Sequence, residues 1–335
     1  MAGSRQENRY DVLDGWRGIS ILAVLACHLL PLGPKEWKLN FAAGYFGMAL
    51  FFCLSGFLIT SFLLKRHGVV DFLIRRCCRI LPLAWLALLV GLWMAHAPPS
   101  YYLPNFLFVA NLPPLHLTTV TAHFWSLGVE MQFYFGIAIA CALFGTRGLW
   151  AIPICAAAVM VLKISNGVPV SIVTYYRVDE IMSGGILALI HADKIRIRKW
   201  LAAIRPEAAL LALVASSLPE TGWLDYLRPY CAAALVGSTL MRNESYLHGA
   251  LRSRLLSYVA QTSYALYIVH PLAEHTWLGS GSKLIKYAKR PLLFVVIFAV
   301  AHVSTFYYEA PWISFGKRLS ARLVKRRAIA APATT

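Results

Sequence analysis

Along the chain, apolar runs of about 20 residues, the length that crosses the hydrocarbon core of a bilayer, recur ten times between shorter polar connections. They fall near 16–33, 44–64, 80–96, 124–144, 149–165, 172–192, 206–219, 224–241, 256–275 and 291–311. Runs of this length read as helices, because in lipid each backbone group must find its partner inside its own segment. Several are short or carry polar side chains, as helices of a packed bundle do. The pattern predicts an all-α, polytopic membrane bundle of about ten helices over 16–312, preceded by a short segment, 1–15, and followed by a basic tail, 313–335.

Composition strengthens this reading. With 59% hydrophobic and 14% charged residues, and a mean hydropathy of +0.60, 335 residues carry more apolar surface than one soluble core hides. The net charge of +17 would suit a nucleic-acid partner. However, the Lys and Arg residues lie in short clusters between apolar runs, with no nucleic-acid-binding motif beside them, so nucleic acid is excluded as a partner. They read as topology signals. Arg5 and Arg9 precede the first run, "KRHGVVDFLIRRCCR" follows the second, Arg147 the fourth, "DKIRIRK" and Arg205 the sixth, Arg242, Arg252 and Arg254 the eighth, and "KRLSARLVKRR" the last. The stretch 97–122 has no Lys or Arg. Positive charge marks the cytoplasmic side, so both termini are expected in the cytoplasm of a multi-pass protein of a bacterial inner membrane. One loop disagrees: Lys283, Lys286, Lys289 and Arg290 fall on the outer side.

The first run has no convincing cleavage site for a signal peptide; Cys27 after "VLA" fits a lipoprotein site poorly, and apolar runs continue beyond it. The seven cysteines show neither CxxC nor metal-ligand spacing, so no disulfide framework and no metal are predicted. No internal repeat of the inverted-transporter kind is found.

Chemistry enters with the ionisable residues inside these runs. Arg17 and His28 are eleven residues apart, almost three whole turns, so both leave the first helix on one face, roughly 16 Å apart along it. With Arg17 at the cytoplasmic surface, His28 is expected near mid-membrane. Ionisable groups there face a bundle interior or water and are functional candidates; the alternative is a neutral histidine bonded between helices. In the fourth run Ser126, Glu130 and Tyr134 share a face, with Glu130 roughly 10 Å below the outer surface. Arg177, Asp179 and Glu180 lie at the outer end of the sixth run and His270 at that of the ninth. Together they predict a polar cavity open to the outside, with His28 and Glu130 at its floor. On the inner side Arg17 joins Arg75, Arg76 and Arg79, which just precede the third run, with Glu309 ending the tenth.

The segments "LDGWRGISILAVLACH", "FGMALFFCLSGFLIT", "RRCCRILPLAW", "FWSLGVEMQFY", "YRVDEIMSGG", "SYALYIVHPL" and "YYEAPWI" occur in order from Leu13 to about Trp312. As a set they closely resemble the acyltransferase-3 family of integral membrane O-acyltransferases. The resemblance implies a ten-helix membrane domain that transfers acyl groups, commonly acetyl from cytoplasmic acetyl-CoA, to hydroxyls of cell-surface carbohydrate such as lipopolysaccharide O-antigen or exopolysaccharide. It carries the family's Arg-x10-His pair onto Arg17 and His28, with His28 catalytic, and its Arg-x-x-Arg pair onto Arg76 and Arg79. Two positions depart from the family. Glu130 is followed by Met131 where two adjacent acids are common, and Glu309, Ala310 and Pro311 stand where Glu-Arg-Pro is frequent. A single-domain member without a fused hydrolase-like domain is expected.

The residues suit that chemistry. Guanidinium forks match the phosphates of coenzyme A, so Arg17, Arg76 and Arg79 are the expected acyl-CoA site, although positive-inside signalling also explains such arginines one by one. A neutral imidazole is matched to removing a hydroxyl proton at neutral pH. His28 is then the base and Glu130 the group that orients it or stabilises its protonated form; an acyl-histidine intermediate is the alternative. Arg177, Asp179, Tyr267 and His270 are the expected contacts of the carbohydrate acceptor. Ser263, Tyr264 and Tyr267 either bond across helices or bind acceptor. Ser55 and Gly56 are expected to let helices approach closely. His96, His116 and His123 read as solvated loop histidines, and Trp37, Trp125, Trp223 and Trp277 as an interfacial belt. The competing classes are a proton-coupled transporter, since buried His and Glu also relay protons, and a non-catalytic membrane scaffold.

Overall fold

A computed structural model describes residues 3–65, 68–242 and 245–330. Arg66 of the second basic connection and the last residues of the expected tail, 331–335, lie outside the described residues. Among the described residues the chain is helical, with no strand. The helices are α1 (Gly3–Leu29), α2 (Leu39–Lys65), α3 (Val69–Met94), α4 (Tyr102–Phe106), α5 (Phe124–Phe144), α6 (Ala151–Ser165), α7 (Thr174–Arg177) and α8 (Asp179–His191). They continue as α9 (Arg198–Ala203), α10 (Pro206–Ser217), α11 (Leu224–Met241), α12 (Tyr246–Leu251), α13 (Arg254–Glu274), α14 (Lys283–Ala288), α15 (Arg290–Val303) and α16 (Ala310–Ala330).

Each of the ten expected apolar segments contains a helix. Five helical stretches among the described residues are long and apolar enough to cross a membrane: Asp11–Leu29, Lys35–Lys65, Val69–Met94, Phe124–Ser165 and Arg290–Leu323. The expected count of ten is not reached by this measure. α8 has 13 residues and α10 has 12, which at 1.5 Å per residue cover roughly 20 Å, short of a core about 30 Å thick.

Helix ends also differ from the expectation, because hydropathy marks the apolar part of a helix and not its polar extension. α3 begins at Val69, so Arg75, Arg76 and Arg79 lie on the helix itself and not ahead of it. The tenth segment is interrupted by a π-helical turn, Ser304–Glu309, in which the Ser304 hydroxyl donates to Glu309 Oε1 at 3.1 Å, five residues along. α16 then carries the helix through the expected tail as far as Ala330.

The chain divides into two compact units. The first joins the residues up to Ser61 with Trp150–His270. Its core gathers Trp16, Leu50, Phe57, Leu187, Leu213 and Leu235. Trp16 is enclosed, and its indole N–H donates to the Thr239 hydroxyl at 3.0 Å, the partner a buried indole needs. α2 and α8 meet through small residues: a Cβ on Gly56 would run into the Ile181 carbonyl, and one on Gly184 into the Cys53 carbonyl. This is the close approach expected at Gly56, and it lets dispersion contacts form in a setting where lipid supplies no hydrophobic drive between helices.

The second unit joins Phe62–Leu149 with the residues from Pro271 onward. α3 packs on α16, where a Cβ on Gly316 would sit 2.7 Å from that of Cys78, and on α5, where the Phe72 and Tyr134 rings meet edge to face at 5.8 Å. The basic loop that disagreed with the topology is locally paired here. Lys286 and Arg290 both reach Glu274, at 3.3 and 3.0 Å, and Lys289 lies over the Trp277 ring at 5.1 Å.

Candidate active site

The first unit brings Arg17 and His28 of α1 against α13. Arg17 Nε donates to the Ser263 hydroxyl at 2.9 Å, and His28 Nδ1 lies 2.9 Å from His270 Nε2. The imidazole planes are 17° from parallel with centroids 5.0 Å apart, so the rings meet end to end along the nitrogen–nitrogen contact. The numbers of both partners rise together, so α1 and α13 run in the same sense. Three turns of α1 and two of α13 separate the two contacts, a difference that the long Arg17 side chain can span.

His28 occupies the last turn of α1 and is exposed, whereas His270 is enclosed. The first run, expected near 16–33, differs at both ends: α1 starts well before Arg17 and ends at Leu29, so His28 sits at a helix terminus. Carbonyls there lack intrahelical donors. The Asn40 amide of α2 donates to the Cys27 and Leu30 carbonyls, both at 2.7 Å, and so holds the turn that carries His28. An aromatic layer runs along the same helices. The Arg17 guanidinium lies 5.8 Å from the Phe51 ring centre, Phe51 stacks on Tyr267 at 6.1 Å, and Tyr267 meets His270 at 5.8 Å.

Arg177 and Asp179 have a different setting. Lys163 pairs with Asp179 at 2.7 Å, Arg177 with Glu180 at 3.1 Å, and Arg228 with Asp225 at 3.2 Å. All six side chains are enclosed. Three cations balance three carboxylates, as charges taken out of water must, and Arg228 adds a bond to the Ser216 carbonyl at 2.8 Å and a face-on contact with Tyr45 at 4.6 Å. Lys163, Asp225 and Arg228 escaped the sequence reading. Their signal was an ionisable residue near the end of an apolar run, which is also where a snorkelling residue sits.

In the second unit the spacing of Glu130 and Tyr134 is realised as a bond: the Tyr134 hydroxyl donates to Glu130 Oε1 at 3.0 Å. Arg76 lies over the Tyr134 ring at 6.0 Å, so Tyr134 links two of the expected site residues. Arg79, one turn further on α3, is half-buried, as is Arg76. His123 is buried against Phe124, ring centres 4.4 Å apart, which corrects its reading as a solvated loop residue. Among the described residues no three His, Cys, Asp or Glu side chains gather as a metal site.

A Staphylococcus aureus (strain COL) protein named for O-acetyltransferase activity is 25% identical over 306 residues, covering 77% of this chain and 49% of that protein. The peptidoglycan O-acetyltransferase OatA of Listeria monocytogenes is 28% identical over 146 residues, 36% of this chain and 22% of its own. A Bacillus subtilis protein named for peptidoglycan O-acetylation, YrhL, is 31% identical over 155 residues, 38% and 23%. The chain thus spans about half the length of the first of these relatives and less of the others. No solved structure matches. A model of the acyltransferase-3 family, described as an acyltransferase domain, matches residues 10–309; the chain belongs to this family of membrane O-acyltransferases.

Proposed function

We propose that the protein transfers an acyl group, acetyl from cytoplasmic acetyl-CoA, to a hydroxyl of a cell-surface or lipid-linked carbohydrate, with His28 as the general base. The observation that carries this reading is His28 itself. It is exposed at the end of a helix, held by His270 on one side, and on the same helix as an arginine that Ser263 orients three turns away. Relatives named for peptidoglycan O-acetylation support a carbohydrate acceptor.

In this reading the acceptor hydroxyl gives its proton to His28 while its oxygen bonds the acyl carbon. The C–S bond then breaks and the thiolate takes the proton, leaving an ester and coenzyme A. Arg17 holds a phosphate of the donor; Arg76 and Arg79 are proposed for the same role on the strength of their sequence pattern. For these two and for Glu130 the proposal rests on the sequence and on the contacts each makes within its own unit. Tyr267, beside His270, is the acceptor contact of choice, whereas His270 is enclosed and bonded at both ring nitrogens and acts through His28; Arg177 and Asp179 are enclosed in ion pairs and would support the acceptor side from behind. The parallel run of α1 and α13 is what the first and ninth spans of a ten-span chain require; both termini in the cytoplasm of an inner membrane is proposed from the distribution of Lys and Arg.

The test is acyl transfer by purified protein in lipid nanodiscs, from labelled acetyl-CoA to a glycan acceptor. His28→Ala is expected to abolish transfer while acetyl-CoA still binds. Near-normal turnover by well-folded His28→Gln, which retains hydrogen bonding but accepts no proton, would overturn the assignment.

A further inference from the structure

The enclosed ring of His270 is bonded at both nitrogens, and the identity of one partner determines the other bond. His270 Nδ1 lies 3.1 Å from the backbone carbonyl oxygen of Leu266, one turn earlier on α13. A carbonyl oxygen has no hydrogen to give, so the proton of that bond sits on His270 Nδ1. In a neutral imidazole the second nitrogen is then an acceptor. That second nitrogen, Nε2, lies 2.9 Å from His28 Nδ1, so between neutral rings His28 Nδ1 is the donor. It follows that the remaining lone pair of His28 is on Nε2.

We propose that His270 is a positioning residue: through the chain Leu266 carbonyl, His270, His28 it locks His28 in the tautomer with its proton on Nδ1 and its basic lone pair on Nε2. This rests on the reading of His28 as the base and says how that base is prepared. An imidazole in water interchanges its tautomers, and only one presents a lone pair in a given direction. Here the choice is made by a backbone carbonyl that cannot change its role. The two ring planes lie within 17° of each other and the rings meet end to end along the N–N bond, while Tyr267, itself stacked on Phe51, meets the His270 ring. When the acceptor hydroxyl hands its proton to His28 Nε2, the positive ring keeps its Nδ1–H directed at His270 Nε2, and that bond strengthens because its donor is now charged. The proton leaves again from Nε2 to the departing thiolate, so His270 ends the cycle as it began. A histidine thus does here what a carboxylate does for the base of a hydrolytic triad, without adding a fixed negative charge beside it.

The experiment is ¹⁵N NMR of the imidazole nitrogens in the full chain, histidine-labelled and held in nanodiscs, with the His28 signals identified by their loss in His28→Gln. Wild-type protein is expected to show His28 with a protonated Nδ1 and an unprotonated Nε2. His270→Ala is expected to release it into a mixture of tautomers, whereas His270→Gln, whose side-chain oxygen reaches the position of Nε2, keeps the Nδ1–H form. In transfer assays His270→Ala should lower kcat by on the order of ten- to a hundredfold, part of what a general base supplies. KM for acetyl-CoA should be little changed, and His270→Gln should recover part of the loss. A His28 that carries its proton on Nε2 in the wild type, or holds its Nδ1–H form unchanged in His270→Ala, overturns the proposal; if His270→Ala does not fold, the wild-type and His270→Gln spectra decide it. Full activity of His28→Ala would remove the base while leaving the tautomer result standing, so the two readings fail separately.

Discussion

Arg17 donates to the Ser263 hydroxyl at 2.9 Å across 246 positions of sequence, which fixes a guanidinium that the positive-inside rule alone would leave free to wander in the interface. If it is held there to meet a phosphate, Arg17→Lys is expected to weaken acetyl-CoA binding by about tenfold, because an ammonium cannot form the fork and loses a charge-assisted bond. Calorimetric titration of the purified protein checks this; unchanged affinity would return Arg17 to a purely structural role.

Arg76 and Arg79 carry the second expectation. Both are half-buried on α3, so Arg76→Ala combined with Arg79→Ala should leave insertion and folding intact. Acetyl-CoA binding should fall by at least about tenfold, the loss of one or more charged hydrogen bonds. Undiminished binding in the double variant rejects a phosphate site on α3.

The Lys163–Asp179 pair is almost entirely enclosed, with side-chain exposures of 2% and 0%. Removing one partner strands the other, so Lys163→Met should cost about 3–5 kcal/mol, read as a fall in the melting temperature in detergent. Lys163→Met with Asp179→Leu should recover much of that, because two apolar side chains leave no buried charge unpaired. Additive losses would show that the two residues do not act as a pair.

Gly56 and Gly184 make the packing prediction. Gly56→Val forces α2 away from α8, and is expected to destabilise by about 1–3 kcal/mol or more. Gly136→Ala, at a position where a Cβ meets nothing within 4 Å, serves as the control and should be close to neutral. Equal melting of the two variants would mean that the helix contact is looser than described.

The helical, membrane-embedded character of this chain was legible without coordinates, because hydropathy, helical period and the absence of strand patterning are local properties. So were the alignment of Arg17 with His28 and the Ser126, Glu130, Tyr134 face, which follow from 3.6 residues per turn; the bond from Tyr134 to Glu130 is that arithmetic made physical. Helix ends were less legible. Polar residues extend α1 back to Gly3 and α3 back to Val69, and a hydropathy window cannot see a helix that continues beyond its apolar part.

What only the tertiary structure decided is which distant side chains meet. His28 and His270 are 242 positions apart; each was a candidate by itself, His270 as an acceptor contact, and nothing local made them partners. Asn40 was passed over because a lone amide ahead of an apolar run has no periodic signature, yet it holds the carbonyls at the end of α1. Lys163 looked like the end of a span and proved to be one of six enclosed charges. The physical reason is common to all three. Sequence determines which face of each helix is polar through the short-range geometry of the backbone. The partner of that face depends on how closely helices far apart in the chain can approach, which small residues such as Gly56 and Gly184 permit at a few crossings and bulky ones forbid elsewhere.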